Sequence, residues 1–219
     1  MVLREMFESH LEELKSKLME LGLLCEKALK DALKALEEQD VERALEIMDE
    51  DRIANVLEEE INDLAILLIA KQQPVATDLR RIIAAIKIAS DLERIGDFAV
   101  NIAKSTIRIG QQQTLPCLDK IKTMHTYTSE MIELVLQAYT EEDVVKAKKI
   151  ADLDDQIDDL YGEIIRELLS LNVNDPSKTP QIMQLSFICR YLERAADHVT
   201  NIAEHTFYLV KGRRYDLND

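Results

Sequence analysis

Residues 91–105 read DLERIGDFAVNIAKS, and residues 191–205 read YLERAADHVTNIAEH. Seven of the fifteen positions are identical at an offset of one hundred residues, and the shared polar part is L-E-R-x-x-D-x-x-x-N. The apolar residues of both stretches recur every three or four positions, which is the period of a helix buried along one side. We therefore predict an internally duplicated helical protein.

The composition also favours helices. Glycine and proline are scarce, with 5 and 4 among 219 residues, and tryptophan is absent. No segment alternates as a strand would, and the prolines and the stretch GQQQTLPC mark breaks. We predict an all-α fold of two tandem, pseudo-repeated three-helix bundles, with a first repeat at 1–110, a linker at 111–116 and a second repeat at 117–219. The six predicted long helices span roughly 3–37, 41–71, 75–109, 117–139, 143–171 and 178–211.

A formal charge of −15 limits the partners. Nucleic acid binding depends on Lys and Arg neutralising phosphates, and anionic bilayers also repel an acidic chain. The longest apolar run, 64–70, is too short to span a bilayer, so we expect a cytoplasmic protein that is not inserted in a membrane. Cys25, Cys117 and Cys189 lack paired spacing and are interpreted as reduced thiols.

Each duplicated stretch carries a short ladder of oxygen atoms. Glu93 and Asp97, like Glu193 and Asp197, are four residues apart and share one helix face, opposite the apolar stripe and open to solvent. Such a carboxylate pair weakens a helix unless a cation lies between its members. The arginine that follows each Glu can pair with the Asp but is expected to lean away from the Glu. A metal ion would satisfy both carboxylates.

The middle helices are acidic too. The first middle helix carries a polar stripe of Asp51, Asn55, Glu58 and Asn62. The second carries Asp154 and Asp158 at the matching places, with Asp155 and Asp159 beside them. If the middle and last helices of each half pack antiparallel, four or more carboxylates meet there. An all-oxygen donor set indicates Mg²⁺, Mn²⁺ or iron rather than zinc. The alternative is a solvated acidic face. The histidines have no assigned role, although a ligand role for His205, on the face of Asn201, stays open.

Motifs for catalysis are missing. The sequence has no E-x-x-H pair of a di-iron bundle, no H-E-x-x-H, no P-loop and no glycine-rich phosphate loop. No Ser or Cys nucleophile has an obvious His partner. The sequence therefore predicts a protein that is not an enzyme.

Together these segments resemble the PhoU family of phosphate-transport accessory proteins, which negatively regulate the bacterial phosphate response. The resemblance rests on LERIGD (92–97), LERAAD (192–197), KQQPVATDLR (71–80), DDQID (154–158) and NIAEHTFYLVKG (201–212). It covers essentially the whole chain and includes the duplication.

The family resemblance implies two three-helix bundles, a homodimer, and metal ions on E/D-x-x-x-D ladders, in some members as multinuclear iron clusters. It further implies a cytoplasmic adaptor that contacts the ATPase subunit of the phosphate ABC transporter and the sensor histidine kinase. Carried over to this chain, the ligand positions are Glu93, Asp97, Glu193 and Asp197, with Asp51, Asp154 and Asp158 as helpers.

Two alternatives remain open at this point. The chain could serve a different phosphate transporter, or it could be a carboxylate-bridged metalloenzyme such as a phosphohydrolase or oxidase. The two halves also differ from each other: Ala195 and Ala196 replace Ile95 and Gly96, and Asn55 stands where the second half has Asp158. The two metal sites are therefore expected to differ in affinity or nuclearity.

Overall fold

A computed structural model describes residues 2–113, 115–215 and 217. Its helices are α1 (Val2–Glu38), α2 (Val41–Gln72), α3 (Ala76–Ile109), α4 (Leu118–Glu141), α5 (Val144–Asn174) and α6 (Thr179–Lys211), with a short 3-10 turn at Pro176–Lys178 before α6. The described ranges contain no strand, so the all-α prediction is confirmed, and the helix ends agree with the predicted ones within three residues. Thr114, inside the predicted linker, lies outside the described residues.

The second helix of each half starts at a matched cap. The Asp40 carboxylate accepts a hydrogen bond from the Arg43 backbone N–H at 2.9 Å, and that of Asp143 accepts from Val145 N–H at 2.8 Å. A side-chain acceptor at this position satisfies backbone donors that have no partner within the helix. The repeated Asp therefore fixes where α2 and α5 begin.

The two halves share one continuous apolar core. In the first half α3 packs on α1 and α2, and in the second half α6 packs on α4 and α5. The most extensive contact of all joins α3 to α6. The predicted apolar stripes line this contact and the bundle interiors, and all their members are fully buried: Leu92, Ile95, Ala99, Ile102, Leu192, Ala195, Val199, Ile202. The residue limits of the two repeats stay a prediction.

The helices α3 and α6 cross antiparallel. Near one end of the contact, Asp91 lies 2.8 Å from His198 Nδ1 and 3.3 Å from His205 Nε2. Towards the other end, the Phe98 ring stacks 6.2 Å from the ring of Tyr191. Both α6 histidines are thus partners of an α3 carboxylate at the junction of the halves.

All three cysteines are unpaired and buried, as expected for reduced thiols. None of the helices in the described ranges carries an apolar stretch long enough to cross a membrane.

Candidate metal sites

A first acidic cluster lies where α2 packs antiparallel on α3, and consists of Asp51, Asn55, Glu58, Glu93 and Asp97. Asp51 is close enough to Asp97, and Glu93 to Glu58, for the charge of one carboxylate to act on the other. Burial raises the pKa of Asp51, and the charge of Asp97 raises it further, while Lys104 and a hydrogen bond from Asn55 oppose the shift. Burial, followed by the charge of Asp97, likewise raises the pKa of Glu93. The predicted convergence of two helices on one group of carboxylates is therefore present in this half.

One arginine neutralises part of the first acidic cluster. Arg94 Nη1 lies 2.6 Å from Asp97 Oδ2, and its Nε lies 3.5 Å from Glu93 Oε2. The expectation that Arg94 leans away from Glu93 is wrong, because the guanidinium lies between the two carboxylates and contacts both. Asn55 Nδ2 donates to Asp51 Oδ2 at 3.2 Å, which leaves Asn55 Oδ1 buried without a donor.

A second acidic cluster lies where α5 packs on α6, and consists of Asp154, Asp158, Glu193 and Asp197. Asp154 is only 7 % exposed. Burial, and then the charges of Asp158 and Asp197, raise the pKa of Asp154 to about 7. A hydrogen bond from Thr200 lowers this pKa and offsets part of the rise. Burial and Asp197 also raise the pKa of Glu193. The four carboxylates thus repel one another in a partly dehydrated place, where like charges are costly.

The arginines of the second acidic cluster are placed differently from Arg94. Arg194 lies over the Phe98 ring, with Cζ 5.1 Å from the ring centroid, and makes no ion pair with Asp197 in the described part of the chain. Arg190 pairs instead with Glu193 Oε1, and Glu193 Oε2 is buried without a donor. Sequence reasoning missed Arg190, although its position three residues before Glu193 on one helix is a spacing that permits such a pair.

The clusters are less exposed than the sequence suggests. Asp97 is 35 % exposed at its side chain, whereas Glu93 is 21 % exposed and Glu193 only 12 %. The carboxylates are thus reachable from solvent as predicted, but the two glutamates are only partly exposed. The reason is that α2 and α5 cover the side of α3 and α6 opposite the shared core, which a helical wheel of one helix cannot show.

The donor chemistry fits a hard cation. Both clusters offer oxygen donors alone, each contains one buried oxygen without a hydrogen-bond donor, and carboxylates in each have raised pKa values. A bound Mg²⁺, Mn²⁺ or iron ion would supply the missing positive charge. Across the residues that the structure covers, no three His, Cys, Asp or Glu side chains already converge on one point as metal ligands. Metal binding by these seven predicted residues stays a prediction.

The fold and its two acidic clusters define a class of protein, a duplicated three-helix bundle with carboxylates grouped in each half. A family model described as the PhoU domain matches the chain twice, at residues 18–106 and 121–206. The chain belongs to the PhoU family, and the predicted resemblance is confirmed.

Similar proteins agree along the whole chain. A phosphate-specific transport system accessory protein PhoU homolog from Clostridium acetobutylicum is 43 % identical over 217 residues, covering 99 % of both chains. The accessory protein PhoU of Escherichia coli is 32 % identical over 209 residues, covering 95 % of this chain and 87 % of its own. These relatives are named as accessory proteins and not as enzymes, which confirms the prediction of a non-enzymatic protein.

Solved structures show the same architecture. PhoU from Pseudomonas aeruginosa superposes with a TM-score of 0.90 at 33 % identity, covering 94 % of this chain and 100 % of that one. The phosphate transport system regulatory protein PhoU from Streptococcus pneumoniae gives a TM-score of 0.90 at 31 % identity, over 96 % and 99 % of the two chains.

Proposed function

We propose that this protein is a non-enzymatic regulator of phosphate uptake and phosphate-starvation signalling. In this proposal it is a metal-binding adaptor in the cytoplasm, placed between a phosphate ABC transporter and its sensor histidine kinase, and it represses the starvation response. Its family membership and the names of its relatives support the link to phosphate transport. The presence of an acidic cluster at matched places in both halves is the single observation that carries the metal-binding part.

The cation would act through charge. Each cluster groups carboxylates at a helix interface, where burial, and then repulsion by neighbouring carboxylates, raise the pKa values of Asp154 and Asp158. A bound Mg²⁺, Mn²⁺ or iron ion would remove this repulsion and fix α5 against α6, and α2 against α3. It would also reduce the negative potential of that face of the molecule, and so change which partner surface fits it.

The outer side of α2 supplies a surface for partner docking. It exposes large apolar side chains between acidic ones: Leu45, Ile53, Val56, Ile66, Leu67. Apolar patches rimmed by charge are typical of protein interaction sites, and the acidic rim favours a basic partner. This arrangement supports the proposed contacts with the ATPase subunit and the kinase, and a homodimer is proposed as the assembled form.

Metal analysis tests the metal-binding part. Protein purified without added metal should contain divalent metal or iron, and Glu93→Ala and Glu193→Ala should each lower the metal content. The double variant should contain the least. Glu59→Ala, which removes an exposed α2 carboxylate outside both clusters, is the matched control. Equal metal content in all four proteins would reject the site assignment.

A pull-down from cells grown at high and at low phosphate tests the adaptor part. Recovery of the ATPase subunit together with the sensor kinase supports the proposal. Recovery of a different phosphate transporter, without the ATPase subunit, would instead make the chain an accessory protein of that transporter. The metal analysis is independent of this result, so the two parts can fail separately.

A further inference from the structure

A cavity of about 250 Å³ opens between α3, α6 and the segment that follows α6. Its polar walls are Lys87, Glu204, His205, Tyr208, Arg214 and Tyr215. Gly212 ends α6 with a φ of 69°, a left-handed conformation that glycine adopts without strain, and turns the chain back over the helix.

Two contacts hold the returning segment in place. The Leu217 backbone N–H donates to Glu204 Oε1 at 3.0 Å, and the Tyr215 ring stacks 4.7 Å from the ring of Phe207. Arg214, next to Tyr215 in this segment, lines the cavity together with Lys87 of α3. The C-terminal segment thus completes a wall of the cavity.

The acidic groups around this cavity are already engaged. Asp91, one turn from Lys87 on α3, makes polar contacts with His198 and His205 of α6. The Glu204 carboxylate accepts a hydrogen bond from the Leu217 backbone N–H. Lys87 and Arg214 consequently make no ion pair within the described ranges. The cavity therefore has two cationic side chains whose charge is not offset by an acidic partner in the described part of the chain.

Further positive charge lies close by. The Arg80 guanidinium carbon is 3.4 Å from where a side chain on Gly212 would begin, and Arg80 Nε is buried without a hydrogen-bond partner. Lys148 Nζ lies 5.5 Å from the centre of the Tyr215 ring, so a second cation flanks the returning segment. Two cationic side chains therefore line the cavity, and two more lie against Gly212 and Tyr215 beside it.

We propose that this cavity binds a small phosphoryl oxyanion, either inorganic phosphate or the phosphate group of a phosphomonoester. A guanidinium and an ammonium group are the side chains that recognise phosphate oxygens, the first through paired N–H donors and the second as a point charge. The hydroxyls of Tyr208 and Tyr215 add neutral donors. The cavity is large enough for a phosphate ion with bound water, or for a phosphate carrying a short organic group.

The proposed anion site goes beyond the metal-binding adaptor and does not depend on it. Its cationic residues come from α3, from the first turns of α5 and from the segment after α6. None of them belongs to either acidic cluster. An anion bound here would bridge α3 and the C-terminal segment, which places its effect at the junction of the two halves.

The test is titration of the full-length protein, stripped of metal with a chelator so that a cation in an acidic cluster cannot hold phosphate. Isothermal titration calorimetry would use inorganic phosphate in one arm and glycerol 3-phosphate in the other, at low and at moderate salt. We expect saturable binding of at least one of them, weaker at higher salt. Lys87→Gln and Arg214→Gln should each weaken it about tenfold, the loss expected for one charge-assisted hydrogen bond.

Arg166→Gln is the matched control, because it removes the same charge from an exposed position on α5. Arg166 lies eighteen residues beyond Lys148 on this helix, roughly 27 Å away at the α-helical rise. The Arg166→Gln variant should bind the ligand as the unsubstituted protein does.

If the protein binds only inorganic phosphate, or only glycerol 3-phosphate, that result identifies the source of the phosphoryl group. Binding of neither, or equal weakening by Arg166→Gln, would overturn the proposal. All three substituted side chains are exposed, and thermal melts will show whether the variants are folded.

Discussion

The first and second acidic clusters occupy matched places in the two halves, but their charges are balanced differently. In the first, Arg94 contacts Glu93 and Asp97. In the second, the matching arginine, Arg194, lies over the Phe98 ring instead, and Asp197 is left without it. Position 98 is Phe and the matching position 198 is His, so only one of the two arginines finds an aromatic hydrocarbon ring on the opposite helix. The same sequence motif therefore has a different charge balance in each half, because contacts with the neighbouring helix determine the orientation of the arginine side chain.

The largest expected difference concerns added Mn²⁺. Each cluster has four carboxylates, but Arg94 contacts both members of the first ladder, whereas Arg190 pairs only with Glu193 in the second, so the second should hold the cation more tightly. An ion at one hundred times its Kd stabilises the folded state by about 2.7 kcal/mol. Asp197→Asn should remove more of this gain than Asp97→Asn, measured as the rise in Tm on adding Mn²⁺. Equal losses would show that Arg94 has no influence on binding.

The second prediction concerns the pH dependence of the metal-free protein. Burial raises the pKa of Asp154 to about 7, above its value in the unfolded chain, so the folded state holds this proton more firmly. The cost of ionising Asp154 therefore develops as the pH rises from about 4 to about 7 and stays constant above that. Asp154→Asn should stabilise the protein by about 2 kcal/mol at pH 8, with solvent screening by its exposed neighbours allowed for, and by much less at pH 5.

Urea unfolding at the two pH values, without metal, measures this effect. Asp51→Asn is the control in the first half, where Asn55 and Lys104 already offset part of the rise in the pKa of Asp51. Its gain in the free energy of unfolding should be smaller. A gain for Asp154→Asn that is independent of pH would mean that relief of its charge is not the cause.

The third prediction compares the two arginines. Arg94→Gln removes two partly exposed ion pairs and should cost about 0.5–1 kcal/mol, while raising the Mn²⁺ affinity of the first cluster. Arg194→Gln removes a cation–π contact of similar strength, about 0.5–1 kcal/mol, but no carboxylate partner. Because the charge of Arg194 acts on Glu193 without a direct contact, its removal should raise the Mn²⁺ affinity of the second cluster less than Arg94→Gln raises that of the first. Paired Mn²⁺ titrations of the two variants would check this, and an equal rise in both would contradict the assigned contacts.

The smallest effect is expected at Gly96, where the second half has Ala196. A methyl group on Gly96 would lie 3.4 Å from Cys25 Sγ and 3.8 Å from Asp51 Oδ1, which are ordinary contacts. Gly96→Ala should therefore stabilise α3 by up to about 0.5 kcal/mol through its higher helix propensity. Gly22→Ala is the contrasting change, since its methyl group would meet Leu136 at 2.5 Å and should lower the Tm.

The fold was predictable because helical periodicity, scarce glycine and proline, and the repeated Asp caps all indicate the same six helices. The grouping of Asp51 with Asp97, and of Asp154 with Asp197, followed from antiparallel neighbours. The burial of Glu193 and the position of Arg194 could not be predicted, since both depend on contacts with other helices. The cavity beside Lys87 was missed as well. Arg214 and Tyr215 form one of its walls, in a stretch after α6 that has no periodic pattern and contacts α6 through the Leu217 backbone and the Tyr215 ring.

The antiparallel crossing of α3 and α6 has a consequence for any attempt to divide the chain. A fragment ending near residue 110 would expose to water the stripe that Leu92, Ile95 and Ala99 bury against the other half. Two such fragments could cover their stripes by pairing with each other about a two-fold axis near Ile95. Tandem duplication gives the same pairing within a single polypeptide, and it also frees each copy to diverge, as the unequal arginines demonstrate.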